Sequence, residues 1–208
     1  MASMDLAAAE RAAICDTLER LGPDAPTLCE GWTTADLVAH LVVRENDVLA
    51  GPGILLPRLF GSLTDKRMAA AKKRGFAANV ATVRRGRGIV MKLAPAVVDV
   101  AEFYIHDEDC RRPNGEGPRP VEAEREDALW SWVARLGRAF ARKVDAGVRI
   151  ETPDGRSRDL KGGDKVVVLR GPASELVLYL TGRRDAAKVE VAGDAEAIAA
   201  LERAQLSL

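Results

Sequence analysis

The sequence predicts an α+β protein, an N-terminal four-helix bundle followed by a small α+β domain. Three observations predict it. Segments of helical periodicity fill the chain to about residue 145. Short β-branched runs separated by turn residues begin only after that point. Strong breakers, Gly51-Pro52-Gly53 and the run from Pro113 to Pro118, divide the helical segments from one another. The expected domains are residues 1–145 for the bundle and 146–208 for the α+β domain.

The first helix is expected from Asp5 to Leu21, with Leu6, Ala9, Ala13, Cys15, Leu18 and Leu21 as its approximate apolar stripe and Gly22-Pro23 as its stop. The second opens at Thr33 or Thr34, either of which can cap it, and runs through His40 towards Leu49. Asp36 sits in its first turn, where a carboxylate complements the positive helix end. Gly51 to Gly61 reads as an irregular crossover or lid. A third helical region begins near Thr64, weakened by Gly75, Gly86 and Gly88. Pro95 suits the first turn of a further helix reaching Arg112. The last helix of the bundle is expected from Val121 to Val144, with Leu129, Trp132, Val133, Leu136, Phe140 and Val144 on one face. Beyond it, 148–152, 165–169 and 188–191 read as strands, 172–181 and 194–204 as helices, and Pro153-Asp154-Gly155 as a hairpin turn.

Composition narrows the function. Lys plus Arg and Asp plus Glu both number 31, which argues against a protein built to grip nucleic acid. The nine Lys and Arg residues between Lys66 and Lys92, with no acid among them, then read as a solvated helix face. No apolar run approaches the ~18 residues of a membrane span, and the N-terminus lacks the apolar core of a secretory signal. The expected compartment is the cytoplasm, without a membrane or nucleic-acid partner. Three cysteines without a close C-x-x-C pair exclude a disulfide framework and a four-cysteine zinc site.

Only two histidines are present, His40 and His106. Glu102 and His106 lie four residues apart, which places both on one helix face, one turn from each other. That spacing is common by chance. His40, at mid-helix among Leu37, Val38, Leu41 and Val42, offers a third donor from another element. Two imidazoles and a carboxylate from two bundle helices suit a divalent metal ion. The bland alternative is a pair of unrelated core histidines.

The run Cys29-Glu30-Gly31-Trp32-Thr33-Thr34-Ala35-Asp36-Leu37-Val38-Ala39-His40-Leu41 resembles the signature segment of the mycothiol-dependent maleylpyruvate isomerase N-terminal family, within the DinB/YfiT-like metalloprotein superfamily. Glu102-Phe103-Tyr104-Ile105-His106-Asp107-Glu108-Asp109 resembles its second metal motif, and 171–183 its small C-terminal domain. The pattern is similar to that of an actinobacterial branch of metal-binding proteins. The resemblance implies a DinB-like bundle and the ligand set His40, Glu102 and His106. It also implies a low-molecular-weight thiol, mycothiol, as cosubstrate beside a small electrophilic substrate, in a transferase or isomerase. Zinc is the expected ion; nickel, cobalt, manganese and iron suit the same donors. A metal-dependent hydrolase and a non-catalytic metal or small-ligand binding module remain the alternatives, and the chain is a monomer or homodimer. Two carboxylates are candidate supports for the ligands: Asp36, for the free ring nitrogen of His40, with helix capping as the commoner role, and Asp109, three residues after His106, with an exposed partner of Arg111 or Arg112 as its alternative. Trp32 is expected in the core, and Arg183 as a helix-end cation, with carboxylate binding as its alternative.

Overall fold

The computed structural model describes residues 2–46, 57–86, 96–120 and 122–206. These form two compact units, 1–119 and 120–208.

The first unit is helical. Helix α1 spans Ala2–Leu21, α2 Thr34–Asn46, α3 Pro57–Lys73, α4 Phe76–Arg85 and α5 Ala96–Arg111. A 3-10 turn, Arg112–Asn114, closes α5. Helix α1 packs against α5 and α4, and α2 against α3 and α4. Helices α3 and α4 together fill one side of the bundle. They are split at Gly75, whose φ of 88° is a conformation that residues with a Cβ rarely adopt. Helix α3 corrects the expectation of an irregular chain as far as Thr64. Pro57 is its first residue, a position where the missing N–H costs nothing and the fixed φ already suits a helix. The rest of the expected crossover, 51–56, lies outside the described residues, as do 87–95 with Gly88 and Pro95. The core gathers Ile14, Cys15 and Leu18 from α1, Leu37, Val38, Leu41 and Val42 from α2, Val80 and Val83 from α4, and Phe103 and Cys110 from α5.

The loop joining α1 to α2 is pinned rather than loose. An isolated bridge pairs Pro26 with Thr33, and the Leu28 amide donates to the Asp109 carbonyl at 2.9 Å. Both contacts bring residue 29 beside the C-terminal end of α5.

The second unit holds α6 (Ala123–Ala141), β1 (Gly147–Glu151), β2 (Ser157–Lys161), β3 (Val166–Arg170), α7 (Ala173–Leu180), β4 (Glu190–Gly193) and α8 (Ala195–Arg203). The sheet order is β2-β1-β3-β4. Strands β1 and β3 run parallel; the two outer pairs are antiparallel. Gly193 makes the β3–β4 pairing possible: its φ is 120°, and an added Cβ would fall 2.3 Å from the Val166 carbonyl oxygen.

Two sequence expectations change here. Helix α6, assigned to the bundle, sorts with the second unit, where it packs on α7 and β2. Periodicity identifies an apolar face but not the surface it will meet. The face itself also shifts. Leu136 is 44% exposed, and the buried row runs through Leu129, Val133, Gly137 and Phe140. Gly137 holds the central position because Leu160 of β2 comes within 3.0 Å of where its Cβ would be.

Candidate metal centre

The three expected ligands come together. His40 projects from α2, and Glu102 and His106 from successive turns of α5. The Glu102 Oε1 lies 3.4 Å from His40 Nε2 and 3.4 Å from His106 Nε2. All three donor atoms lie within 4.8 Å of one another. Those separations are long for hydrogen bonds. They match the ~3.3 Å edge of a tetrahedron whose centre lies about 2.0–2.1 Å from nitrogen and oxygen ligands. The donor set therefore fits a divalent ion, and three protein donors leave a fourth position unfilled. The imidazole rings stand nearly edge to face, 5.1 Å apart at 68°. Trp32, packed against the core as expected, also tilts over His40 at 5.4 Å.

Each α5 ligand is held from behind. His106 Nδ1 donates to Asp109 Oδ2 at 2.9 Å, which leaves Nε2 facing the centre. Asp109 is fully buried, and Cys29 Sγ donates to the same oxygen at 3.2 Å. Of the two readings of Asp109, support for His106 fits these contacts, and an exposed partner of Arg111 or Arg112 does not. Arg112 bonds Glu108 at 2.6 Å and Arg111 pairs with Glu116 at 2.8 Å. Position 109 points inward because it follows His106 by three residues on the same helix face. Glu102 is held by Arg44, whose Nε reaches Oε1 at 2.9 Å while NH1 faces Asp99 at 3.5 Å. Asp36 takes the capping role: it accepts from the Thr33 amide at 3.1 Å and hydroxyl at 3.0 Å, and from Lys72 at 2.6 Å.

Electrostatics follow from this arrangement. Burial would raise the Glu102 pKa, but the Arg44 guanidinium and the two imidazoles hold it well below the usual carboxylate value. Burial would lower that of His106, but Asp109, Cys29 and Glu102 hold it well above the usual histidine value. Burial dominates at His40 and lowers it. In the ion-free protein these contacts favour the protonated form of His106, and an ion at Nε2 would compete with that proton.

Sequence reasoning missed Arg44 and Cys29. Arg44 follows His40 by four residues, the same one-turn spacing that singled out Glu102 and His106. Cys29 had no such signal, because a loop contact brings it in. Cys29, His106 and Asp109 form a second group of potential donors. Their 2.9 and 3.2 Å separations suit hydrogen bonding, so they read as support for His106. None of the three cysteines forms a disulfide. Cys15 is buried, and burial pushes its thiol up to about 11.

The remaining expectations concern residues away from the centre. Tyr104 is buried beneath the Arg119 guanidinium, 4.8 Å from its ring centre. Arg183 NH1 bonds the Thr181 carbonyl at 2.6 Å, which fits a helix-end cation. In the basic stretch, Arg84 pairs with Asp16 and Glu19, and Lys72 with Asp36. Among the described residues no helix is long and apolar enough to cross a membrane.

A helical bundle that brings two histidines and a glutamate together, followed by a small mixed-sheet unit, defines an α+β protein of two compact units. Residues 131–200 match the family model of the MDMPI C-terminal domain, which starts inside α6. Over 90% of its length the chain has the fold of the mycothiol-dependent maleylpyruvate isomerase. The crystal structure of that enzyme matches with a TM-score of 0.59 at 15% identity, over 90% of this chain and 91% of that one. A histidine-to-alanine mutant of the isomerase matches with a TM-score of 0.57, at the same identity and coverage. No curated protein matches the chain. Family model and structural relatives name the family that the His40 and His106 segments resemble.

Proposed function

We propose that this protein is a metal- and low-molecular-weight-thiol-dependent isomerase or transferase acting on a small electrophilic substrate, with mycothiol as the thiol. The observation that carries the reading is the convergence of His40, Glu102 and His106, with Glu102 Oε1 3.4 Å from each imidazole Nε2 and Asp109 2.9 Å behind His106 Nδ1. The shared fold with a mycothiol-dependent isomerase supports the choice of chemistry. Zinc is the ion that best suits three such donors.

His40, Glu102 and His106 would hold the ion. A bound divalent ion supplies Lewis acidity, which favours the thiolate form of a thiol and so makes a stronger nucleophile at neutral pH. The chain's own residues do the rest. Asp109 keeps a proton on His106 Nδ1 and presents Nε2 unprotonated once an ion is taken up. Arg44 keeps Glu102 ionised and aimed. Trp32 covers one side of His40 and limits water there. An isomerase would return the thiol unchanged; a transferase would release it as a thioether. The reducing cytoplasm, where such thiols stay reduced, is the setting this chemistry requires.

The test is a screen of the purified, zinc-loaded protein with mycothiol and small electrophiles, following free thiol and product separately. Metal-dependent turnover with thiol conserved marks an isomerase; turnover with thiol consumed marks a transferase. Ester or amide cleavage without thiol would establish the hydrolase alternative. Tight metal and thiol binding with no turnover would establish a binding module.

A further inference from the structure

We propose that the Arg44–Asp99 pair sets the net charge of the metal centre and thereby its preference for an anion at the fourth position. The inference rests on the three-ligand metal reading. Among the described residues, four charged side chains cluster about the ligands: Glu102, the Asp99 and Arg44 beside it, and Asp109 behind His106. Three are carboxylates and one is a guanidinium, so with neutral imidazoles a divalent ion brings the cluster to neutrality. A neutral centre accepts a thiolate without opposing charge. Without Arg44 it carries an excess negative charge and repels the same ligand; without the Asp99 charge it carries an excess positive charge and attracts it.

The geometry makes these charges count. Arg44 and Asp99 side chains are 12% and 10% exposed, so water screens them poorly. Arg44 leaves α2 one turn after His40, and Asp99 precedes Glu102 by three residues on α5, so both lie against the ligands. Arg44 NH1 is buried, with Asp99 at 3.5 Å as its ion-pair partner. The alternative is a purely structural clamp on Glu102. The two roles differ in sign. A clamp is loosened by losing either member of the pair, whereas a charge device responds in opposite directions.

The experiment uses the full chain loaded with cobalt(II), titrated with 2-mercaptoethanol at fixed pH and ionic strength. The sulfur-to-cobalt absorption band reports the thiol Kd. Arg44→Gln should weaken thiol binding by about tenfold or more, and Asp99→Asn should tighten it by a comparable factor. Arg44→Lys, which keeps the charge but not the fork, should stay within a few-fold of wild type. Equal or parallel shifts in Arg44→Gln and Asp99→Asn overturn the proposal. If Arg44→Gln retains no cobalt, Asp99→Asn decides alone: tighter binding supports the charge role, and unchanged or weaker binding ends it. A wild-type protein that takes up no cobalt ends the metal reading first, and this proposal with it.

Discussion

His106 Nδ1 lies 2.9 Å from Asp109 Oδ2, one helical turn further along α5 and buried from solvent. This pairing converts a histidine on a helix face into a donor of fixed tautomer and orientation. Removing it should loosen the ion without removing a ligand. Asp109→Asn should weaken zinc affinity by about 10- to 100-fold, measured by competition with a chromophoric chelator. Affinity equal to wild type would show that the carboxylate plays no part in holding the imidazole.

The ligands themselves should behave more severely. His40→Ala, Glu102→Ala and His106→Ala should each reduce bound metal to a small fraction of wild type, read by elemental analysis after gel filtration. Undiminished content in His40→Ala and His106→Ala would return both histidines to the status of ordinary core residues.

The pH dependence has a definite sign. In the ion-free protein the His106 pKa is raised, so its proton stabilises the fold below the unfolded value near 6.5. That stability disappears as pH rises through the higher folded value. Glu102 is depressed; its contribution is present above the unfolded value and is lost as pH falls through the folded one. Thermal unfolding of ion-free protein should therefore show a decline on the alkaline side that His106→Gln abolishes. Zinc affinity should rise over the same alkaline range, because binding releases the His106 proton.

In the second unit, Gly193→Ala should lower unfolding stability by about 1–3 kcal/mol in urea titrations. The φ of 120° and the Val166 oxygen 2.3 Å from the new Cβ leave that residue no relaxed position. An unchanged midpoint would mean the β3–β4 pairing is looser than described.

Helix α2 and the donors on α5 were legible because their signals are local: periodicity, caps, and side chains one turn apart. Asp109 was visible as a candidate but undecided, since i+3 spacing does not reveal whether a carboxylate meets a neighbouring arginine or turns inward to an imidazole. Cys29 was not legible at all. Its place depends on the Leu28–Asp109 backbone contact, which sets Cys29 beside an aspartate 80 residues away along the chain, and for this the sequence holds no pattern. Strand β2, Ser-Arg-Asp-Leu-Lys, has poor β-propensity and owes its existence to pairing with β1. Helix α6 displayed its apolar face plainly, yet two candidate partners flank it in sequence, and only packing chooses between them.

Glu102 and His106 become neighbours as soon as α5 winds, whereas His40 is 62 residues from Glu102 along the chain. An ion bound by all three closes that long circuit and welds α2 to α5, and it binds only when the circuit is shut. On the proposed metal reading, metal supply would then bear on the protein's stability. At free zinc a hundred times the Kd the native state gains about 2.7 kcal/mol. A metal-starved cell would hold the protein without that increment.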